Sequence, residues 1–263
     1  MSAKIYALAN QKGGVGKTTV TSGLAYALQS MGKRVLLVDN DPQANLSLCV
    51  GLSNPDELEV SLVDLLAAII DEDQEAEFPY KKEDYVKHSN GLDIIPSNMK
   101  LADIDWKLRN DVSGQTVLST LLEGLREDYD IILVDTNPYL GVLTINALIA
   151  CDEVIIPVSP NLWSATGLSD LLSTIKKIRR RANPKIEIKG IVFTMCDERT
   201  NIFKEIESLV KDTFGSAVKI FDTKIPYTVK VSEANYASTN ILERSPSSTA
   251  SIAITKFAEE VVK

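Results

Sequence analysis

The stretch Asn10-Gln11-Lys12-Gly13-Gly14-Val15-Gly16-Lys17-Thr18-Thr19 decides the fold. The apolar run 5–9 precedes it and predicts a short buried strand, and apolar residues at helical spacing follow it between positions 24 and 31. A glycine-rich turn between a strand and a helix is the setting in which such a loop binds phosphate. Its glycines let backbone N–H groups gather around a polyphosphate, and the helix N-terminus adds partial positive charge. In this setting Lys17 reaches the outer phosphates and the Thr18 hydroxyl can hold Mg²⁺.

Length and composition suit one α/β domain spanning 1–263, or at most two small domains. The chain has 263 residues, of which 44% are hydrophobic and 24% charged, enough for a sizeable core. We expect no transmembrane helix, because no run of about 18 apolar residues occurs, and no signal peptide, because the chain enters its first strand at once. Cys49, Cys151 and Cys196 are odd in number and far apart, so neither a disulfide framework nor a zinc site is expected. A reducing cytoplasm fits this usage.

The net charge of −8 and the pI of about 4.9 argue against a general nucleic-acid binder without a local basic patch. The densest basic cluster consists of Lys176, Lys177, Arg179, Arg180, Arg181 and Lys185. Two interpretations are open for it: a DNA-facing patch, or a solvated helix end whose cations are favoured by the helix dipole. The acidic run 71–77 predicts a solvated loop.

The remaining pattern alternates strands with helices. Further strands are predicted at 34–39, 92–96, 130–135, 153–158, 186–194 and 218–221, and helices at 61–70, 101–108, 115–126, 141–150, 165–181, 202–214 and from Ser247 onward. Strands that are apolar throughout predict a mostly parallel, twisted sheet covered by helices on both faces. Ligands of such sheets bind beyond the C-terminal strand ends, where the phosphate loop, Asp39–Asp41 and Asp135 all fall. Trp106, on an amphipathic stretch, is predicted to pack.

The loop departs from the common pattern G-x-x-x-x-G-K-[ST], since Gln11 stands where a glycine is expected and Lys12 precedes Gly13. It resembles the deviant Walker A motif K-G-G-x-G-K-[ST]-T of the ParA/MinD class of P-loop ATPases. The resemblance implies that Lys12 reaches across a dimer interface to the nucleotide of the partner subunit.

Two acidic segments complete this motif set. Asp135 ends an apolar strand and resembles a Walker B aspartate, whose role is to position Mg²⁺. The segment 38–43 resembles the D-x-D-P-Q segment of the family, which makes Asp41 the carboxylate that orients the attacking water and Asp39 a supporting residue near the metal. From the residues alone, Asp41 before Pro42 is equally well an Asx-turn residue.

Ordered matches cover nearly the whole chain. The segments 140–148, 194–200, 225–226 and 231–234 resemble the family patterns L-G-x-L-T-x-N-A-L, T-M-x-D-x-R-T, I-P and x-S-E-A. They indicate the Soj-like chromosomal and plasmid partition ATPases called ParA. The resemblance implies a cytoplasmic, nucleoid-associated switch with ATP and Mg²⁺ as cofactors. It would dimerise with ATP, bind non-specific DNA and hydrolyse ATP slowly until a ParB-like partner stimulates it.

The resemblance assigns a role to each matching residue. The catalytic residues are Asp41, Lys12 and Lys17. The ATP-binding residues are Lys12, Gly13, Gly14, Val15, Gly16, Lys17, Thr18, Thr19, Met195, Asp197, Pro226 and Tyr227. The metal site comprises Thr18, Asp135 and Asp39. The DNA-facing residues are Arg199 and Lys230, to which the basic cluster adds Lys176 and Arg180 if it is a DNA-facing patch.

Three positions depart from the family pattern: Asn137 replaces a proline after the Walker B aspartate, and Tyr227 and Lys230 replace arginines. A MinD-like membrane-surface switch is the alternative, but it needs a basic amphipathic C-terminal helix, whereas 255–263 carries two acids and is predicted to pack on the sheet. An iron–sulfur ATPase resembling the nitrogenase iron protein would need cluster cysteines. No helix-turn-helix region precedes the loop, so operator-specific repression is not expected. The cargo stays open: chromosome, plasmid, conjugative element or protein cluster.

Overall fold

Eight strands form one sheet in the computed structural model, which describes residues 2–71 and 78–263, apart from the side chains of 162–166. They are β1 (Lys4–Leu8), β2 (Val35–Asn40), β3 (Lys87–Ser89), β4 (Leu92–Ile95), β5 (Ile131–Thr136), β6 (Glu153–Val158), β7 (Glu187–Cys196) and β8 (Ile220–Pro226). Their order across the sheet is β3-β4-β2-β5-β1-β6-β7-β8, and within the described ranges only the β3–β4 pair is antiparallel. The mostly parallel sheet predicted from the sequence is confirmed.

Helices cover both faces of this sheet. They are α1 (Lys17–Ser30), α2 (Asn45–Cys49), α3 (Leu62–Ile70), α4 (Lys82–Tyr85), α5 (Ile104–Asn110), α6 (Val117–Glu123), α7 (Val142–Ala150), α8 (Leu162–Arg181), α9 (Asn201–Phe214), α10 (Val229–Tyr236), α11 (Ile241–Arg244) and α12 (Thr249–Val261). Short 3₁₀ turns occupy Pro55–Glu57 and Met99–Ala102. The apolar residues of α1, α2 and α10 to α12 pack in one core layer, and those of α3 and α5 to α9 in the other.

The central strand β1 shows how one strand serves both layers. Because successive side chains of a strand point to opposite faces, Ile5 and Ala7 join the layer under α7 and α8, while Tyr6 and Leu8 join the layer under α1. All of these side chains are at most 5% exposed. A strand that is buried on both faces needs an apolar residue at every position, which is the pattern of the sequence.

Two helix ends carry local signals in the sequence. Ser61 and Asp64 form a capping box at the start of α3, in which the Ser61 backbone N–H donates to Asp64 Oδ2 at 2.9 Å. Gly32 has φ of 81° directly after the C-cap of α1, a left-handed conformation that glycine adopts without steric cost.

Other expectations need correction. The last strand was expected at 218–221 but lies at Ile220–Pro226, because isolated apolar residues along an edge strand are a weak signal. Trp106 does not pack in the core, since it is 73% exposed. Strand β3 and helices α2, α4, α10 and α11 were not predicted, because each is a short element with a weak periodic signal. Residues 72–77 of the predicted acidic loop lie outside the described residues.

Helix α12 packs on the sheet, as the pattern of the last residues predicts. The Phe257 ring meets the Phe221 ring of β8 edge to face, with centroids 4.9 Å apart. Ile254 lies against Gly23 of α1, where an added Cβ would come within 2.9 Å of the Ile254 side chain. In the described part of the chain, no helix combines the length and apolarity needed to cross a lipid bilayer.

Candidate nucleotide-binding site

The phosphate loop lies where the sequence predicts it, between β1 and α1. Gly14 and Gly16 have φ of 72° and 81°, a left-handed region in which a side chain is strained. Gly16 is the N-cap of α1, and the helix begins at Lys17. The loop backbone therefore ends on the positive pole of a helix dipole, which attracts an anion.

Two buried hydrogen bonds hold this loop to strands on one side of β1. Asn10 is 2% exposed; its amide donates to Pro157 O of β6 at 2.7 Å, and its Oδ1 accepts from Lys12 N at 3.0 Å. Thr194 of β7 donates its hydroxyl to Val15 O at 2.7 Å. Sequence reasoning missed Asn10 and Thr194 as site residues. The available signal was a polar residue at the end of an otherwise apolar strand.

Lys17 points inward. Its side chain is 7% exposed, and its ammonium donates to Asn10 O at 3.3 Å and to Lys12 O at 3.5 Å. Burial lowers the pKa of Lys17, and the nearby charges of Asp135 and Asp41 oppose that shift. A cation is thus held under the loop at the cost of its hydration, in a position where a phosphate can replace the lost water.

Lys12 is placed differently. It is half-buried on the rim of the loop, and its ammonium donates a hydrogen bond to Asn161 Oδ1, just beyond the end of β6. Asn161 offers a neutral amide, so this contact is not a salt bridge. Within the described residues Lys12 makes no salt bridge elsewhere. The two lysines of the motif therefore face different directions, one beneath the loop and one at its outer edge.

Asp135 lies at the end of β5 and is 1% exposed. Its carboxylate accepts from the Thr18 hydroxyl at 2.6 Å and from the Thr21 hydroxyl at 3.1 Å. Burial raises the pKa of Asp135 to about 6, while the threonine hydrogen bonds and the Lys17 charge act in the opposite direction. The pair of Thr18 and Asp135 offers two oxygens of the kind that Mg²⁺ prefers.

Asp39 is the register partner of Asp135 on the neighbouring strand β2, and it is fully buried. Its Oδ2 accepts from Ser47 N at 2.8 Å and from Ser47 Oγ at 2.7 Å, and Asp41 N lies 3.4 Å from Oδ1. Burial raises the pKa of Asp39 to about 7, and the Asp135 charge adds to the shift. Asp39 therefore has protein partners for both oxygens and fixes the start of α2.

Asp41 forms the Asx turn that one of its two interpretations predicts, and it also lies in the cleft above the phosphate loop. Its Oδ1 accepts from Gln43 N at 3.0 Å, which is an Asx turn around Pro42. It is 9% exposed and lines a cavity of about 560 Å³ together with phosphate-loop residues 13–14 and 16–19. The turn thus aims the carboxylate into the space above the loop.

A second cavity of about 210 Å³ continues from the first. Three of the four ATP-binding residues predicted outside the phosphate loop line it: Met195, Pro226 and Tyr227. Met195 has φ of 53°, a strained conformation of the kind found at binding sites. Asp197 does not line either cavity; it pairs with Arg199, whose Nε lies 2.8 Å from Oδ1, and this pairing lowers the pKa of Asp197 to about 2.

The structure separates the residues expected to face DNA into two groups. Arg199 follows β7 and Lys230 follows β8, so both lie at the nucleotide edge of the sheet. Helix α8 runs from that edge back to the start of β7, which places Lys176 and Arg180 near the opposite edge. These cations lie in the C-terminal half of α8, the position that the helix dipole favours. One chain does not bring the four side chains together.

The loop after β5 contains the departure Asn137. Its Oδ1 accepts from the Thr144 hydroxyl at 2.9 Å and from Tyr139 N at 3.3 Å. Asn137 therefore ties this loop to the first turns of α7 by hydrogen bonds, where the family pattern has a rigid proline. The loop borders the phosphate site, since Pro138 lies next to Gly13.

Among the described residues, no group of three or more His, Cys, Asp and Glu side chains is arranged to hold a metal ion. A Mg²⁺ ion that accompanies a nucleotide does not require one, because phosphate oxygens and water complete its shell.

Comparison with known proteins gives a consistent result. The family model described as AAA domain matches residues 3–188. Over 260 residues the chain is 38% identical to the sporulation initiation inhibitor protein Soj of Bacillus subtilis, and the matched region covers 98% of both chains. Over 264 residues it is 36% identical to the chromosome partitioning protein ParA of Caulobacter vibrioides, covering 98% of this chain and 94% of that protein. The crystal structure of cobyrinic acid a,c-diamide synthase from Mycobacterium smegmatis with bound ADP and magnesium matches with a TM-score of 0.82 at 29% identity, covering 98% and 93% of the two chains.

The raised pKa values of the buried carboxyls lead to a prediction about the nucleotide-free protein: how its free energy of unfolding depends on pH. Asp39 and Asp135, with pKa values raised to about 7 and about 6, hold protons in the folded state that the unfolded chain has released. The free energy of unfolding should therefore fall as pH rises from about 4 to 7, by at most about 1.4 kcal/mol per pH unit for each carboxyl. Asp39→Asn cannot titrate, so its stability should fall less steeply.

Urea unfolding followed by circular dichroism at a series of pH values measures these slopes. The slope, unlike the absolute stability, is unaffected by any constant cost of altered hydrogen bonds to Ser47. Asp170→Asn, at an exposed position of α8, is the control and should keep the wild-type slope. Equal slopes in Asp39→Asn and the wild type would contradict the proton uptake assigned to Asp39.

Proposed function

The chain belongs to the Soj and ParA family of P-loop ATPases, and from this premise we propose that it is a switch that dimerises with ATP, binds DNA of any sequence and positions a cargo. A ParB-like partner stimulates its hydrolysis of ATP. The observation that carries the proposal is the pair of lysines in one phosphate loop, with Lys17 buried beneath it and Lys12 at its rim. A single-subunit ATPase needs only the first.

Nucleotide binding assigns a task to each part of the cleft. The loop 13–19 holds the phosphates and Lys17 neutralises them. Thr18 and Asp135 would hold Mg²⁺, with Asp39 supporting Asp135 from the neighbouring strand. The smaller cavity, between Met195 and Tyr227, takes adenine. The support is the placement of these side chains and the ADP and magnesium in the similar Mycobacterium smegmatis structure.

Hydrolysis requires a water molecule aligned with the outer phosphate. Asp41 lines the cavity above the loop, and the Asx turn holds its carboxylate there. In this proposal Asp41 orients the water and accepts its proton, while Lys17 stabilises the charge that develops on the transferred phosphoryl group. Mg²⁺ held by Thr18 and Asp135 would supply further positive charge there.

Asp41→Ala should keep ATP affinity and lose turnover by about 10²- to 10⁴-fold, because the water loses its acceptor. Asp41→Asn separates the two roles of this residue, since an amide oxygen still accepts from Gln43 N but the amide is no base. Isothermal titration with ATP and a steady-state phosphate assay measure binding and turnover. Near-normal turnover in Asp41→Asn would reduce Asp41 to a turn residue.

Replacing Lys17 and replacing Lys12 should impair different steps. Lys17→Ala should lose nucleotide affinity, because the buried cation beneath the loop is gone. Lys12→Ala should bind ATP but remain mostly monomeric, since no ammonium is left at the rim to meet the phosphates of a second subunit. Size-exclusion chromatography with light scattering, with ATP and with ADP, measures the oligomeric state. Normal ATP-driven dimerisation of Lys12→Ala would remove the cross-subunit role.

DNA binding must overcome the repulsion between DNA and the net negative charge of the chain. We place the DNA contact at the nucleotide edge of the sheet. There Arg199 pairs with Asp197, and Lys230 pairs with Glu233 at 3.3 Å. Exposed ion pairs are worth about 0–1 kcal/mol, so a DNA phosphate can replace either carboxylate. A dimer doubles this surface and releases more counterions, which makes binding dependent on ATP and sensitive to salt.

Arg199→Ala or Lys230→Ala should weaken binding to every sequence and reduce the slope of log affinity against log salt by about 2, because each of the two subunits loses one phosphate contact. Asp197→Asn should act in the opposite direction, because it frees Arg199. The double variant Lys176→Ala, Arg180→Ala tests the opposite edge and should change little. Fluorescence anisotropy on random-sequence duplex across a salt series, with ATP and with ADP, gives these values.

No ATP-dependent binding by the wild-type protein at low salt would overturn the DNA proposal. A protein or membrane cargo would then be favoured. A membrane-surface switch needs an exposed apolar face on its C-terminal helix. Here the apolar side of α12 is buried against β8 and α1, with Ile254 and Phe257 at most 1% exposed, which counts against the membrane alternative.

A further inference from the structure

The phosphate cavity and the adenine cavity meet, and four residues line both of them. They are Gly16, Thr19, Met195 and Asn235. Of these four, only Thr19 and Asn235 bring a polar side chain to the junction. In any nucleotide the ribose lies between base and phosphates, so these two side chains face the segment that carries the ribose hydroxyls.

Asn235 lies in the last turn of α10 and is half-buried. Its amide nitrogen donates to Thr19 Oγ1 at 3.3 Å. A threonine hydroxyl has one proton and two lone pairs. Because Oγ1 uses a lone pair to accept from Asn235, its own proton stays available for an acceptor in the phosphate cavity. The amide oxygen of Asn235 is left to accept a hydrogen bond at the junction.

We propose that Asn235 is a nucleotide-positioning residue of this ATPase: its amide nitrogen turns the Thr19 hydroxyl towards the phosphate chain, and its Oδ1 accepts from a ribose hydroxyl. The inference rests on the nucleotide site proposed above. It adds a discrimination between ribose and deoxyribose that the phosphate loop by itself does not provide, since the loop contacts phosphate alone.

Helix α10 does not need this side chain to hold its place. Its first turn is capped by Thr228, whose hydroxyl oxygen accepts from Lys230 N at 3.3 Å. After its last turn, Thr239 N donates to Ala234 O at 3.0 Å, and Asn90 Nδ2 donates to Ser238 O at 2.9 Å. Ala234 is fully buried beneath the helix. The Asn235 side chain is thus not required for packing, and it lies where the two ligand cavities meet. Its role is therefore assigned to the ligand.

Isothermal titration with ADP, 2′-deoxy-ADP and 3′-deoxy-ADP in the presence of Mg²⁺ tests the proposal, and ADP avoids hydrolysis during the measurement. The wild-type protein should bind one of the deoxy analogues about fivefold more weakly than ADP, the effect of one hydrogen bond. Asn235→Ala should bind ADP more weakly and show no preference among the three. Tyr236→Ala, at the adjacent position with 95% exposure, should behave as the wild type.

Asn235→Asp separates the two halves of the proposal. Its carboxylate still accepts from ribose but cannot donate to Thr19 and repels the phosphates, so the ribose preference should persist at lower affinity. Equal binding of the three nucleotides by the wild type, or an unchanged preference in Asn235→Ala, would overturn the proposal. Failure of the wild type to bind ADP at all would instead overturn the nucleotide site on which it rests.

Discussion

Two carboxyl groups buried side by side are the constraint on which the site depends. Asp39 and Asp135 are register partners on adjacent parallel strands, and both are at most 1% exposed. Charges of one sign in an interior of low dielectric repel each other and lack hydration. Burial raises both pKa values, the Asp135 charge adds to the shift of Asp39, and the Asp41 charge adds to the shift of Asp135. Ser47, Thr18 and Lys17 offset part of this cost. A divalent cation beside Asp135 would offset more, so the protein gains stability on binding what its reaction requires.

Fixed anchors make the phosphate loop a preformed site. A loop whose N–H groups point at a ligand cannot satisfy them internally, so its remaining polar groups need partners elsewhere. Asn10 ties the loop to β6 and Thr194 ties it to β7, while Lys17 bonds two loop carbonyls from below. Two parallel strands and the first helix therefore determine the loop conformation, which lowers the entropy lost when phosphate binds.

The sequence predicted what depends on local chemistry and on period. Apolar strands, the glycine loop and acidic strand ends indicated the parallel sheet and its ligand edge, because each signal lies within a few residues. Contacts between distant segments left no such signal: Asn235 meets Thr19 across 216 positions, and Asn10 meets Pro157 across 147. Charge clusters do not indicate position either, since Lys176 and Lys230 look alike in sequence but lie at opposite edges of the sheet. The prediction that Trp106 packs was wrong, because amphipathic spacing does not show which face of a helix is covered.

Helix α10 joins the nucleotide cleft to the surface assigned to DNA. Asn235 at its end reaches Thr19 of the phosphate loop, and Lys230 at its start is exposed beside Glu233. Eight residues of helix span about 12 Å, so little more than two turns of regular backbone join the two ends. Just beyond α10, Asn90 Nδ2 at the turn of the β3–β4 hairpin donates to Ser238 O at 2.9 Å. One short element therefore connects the side chain proposed to contact the nucleotide with the cation proposed to contact DNA.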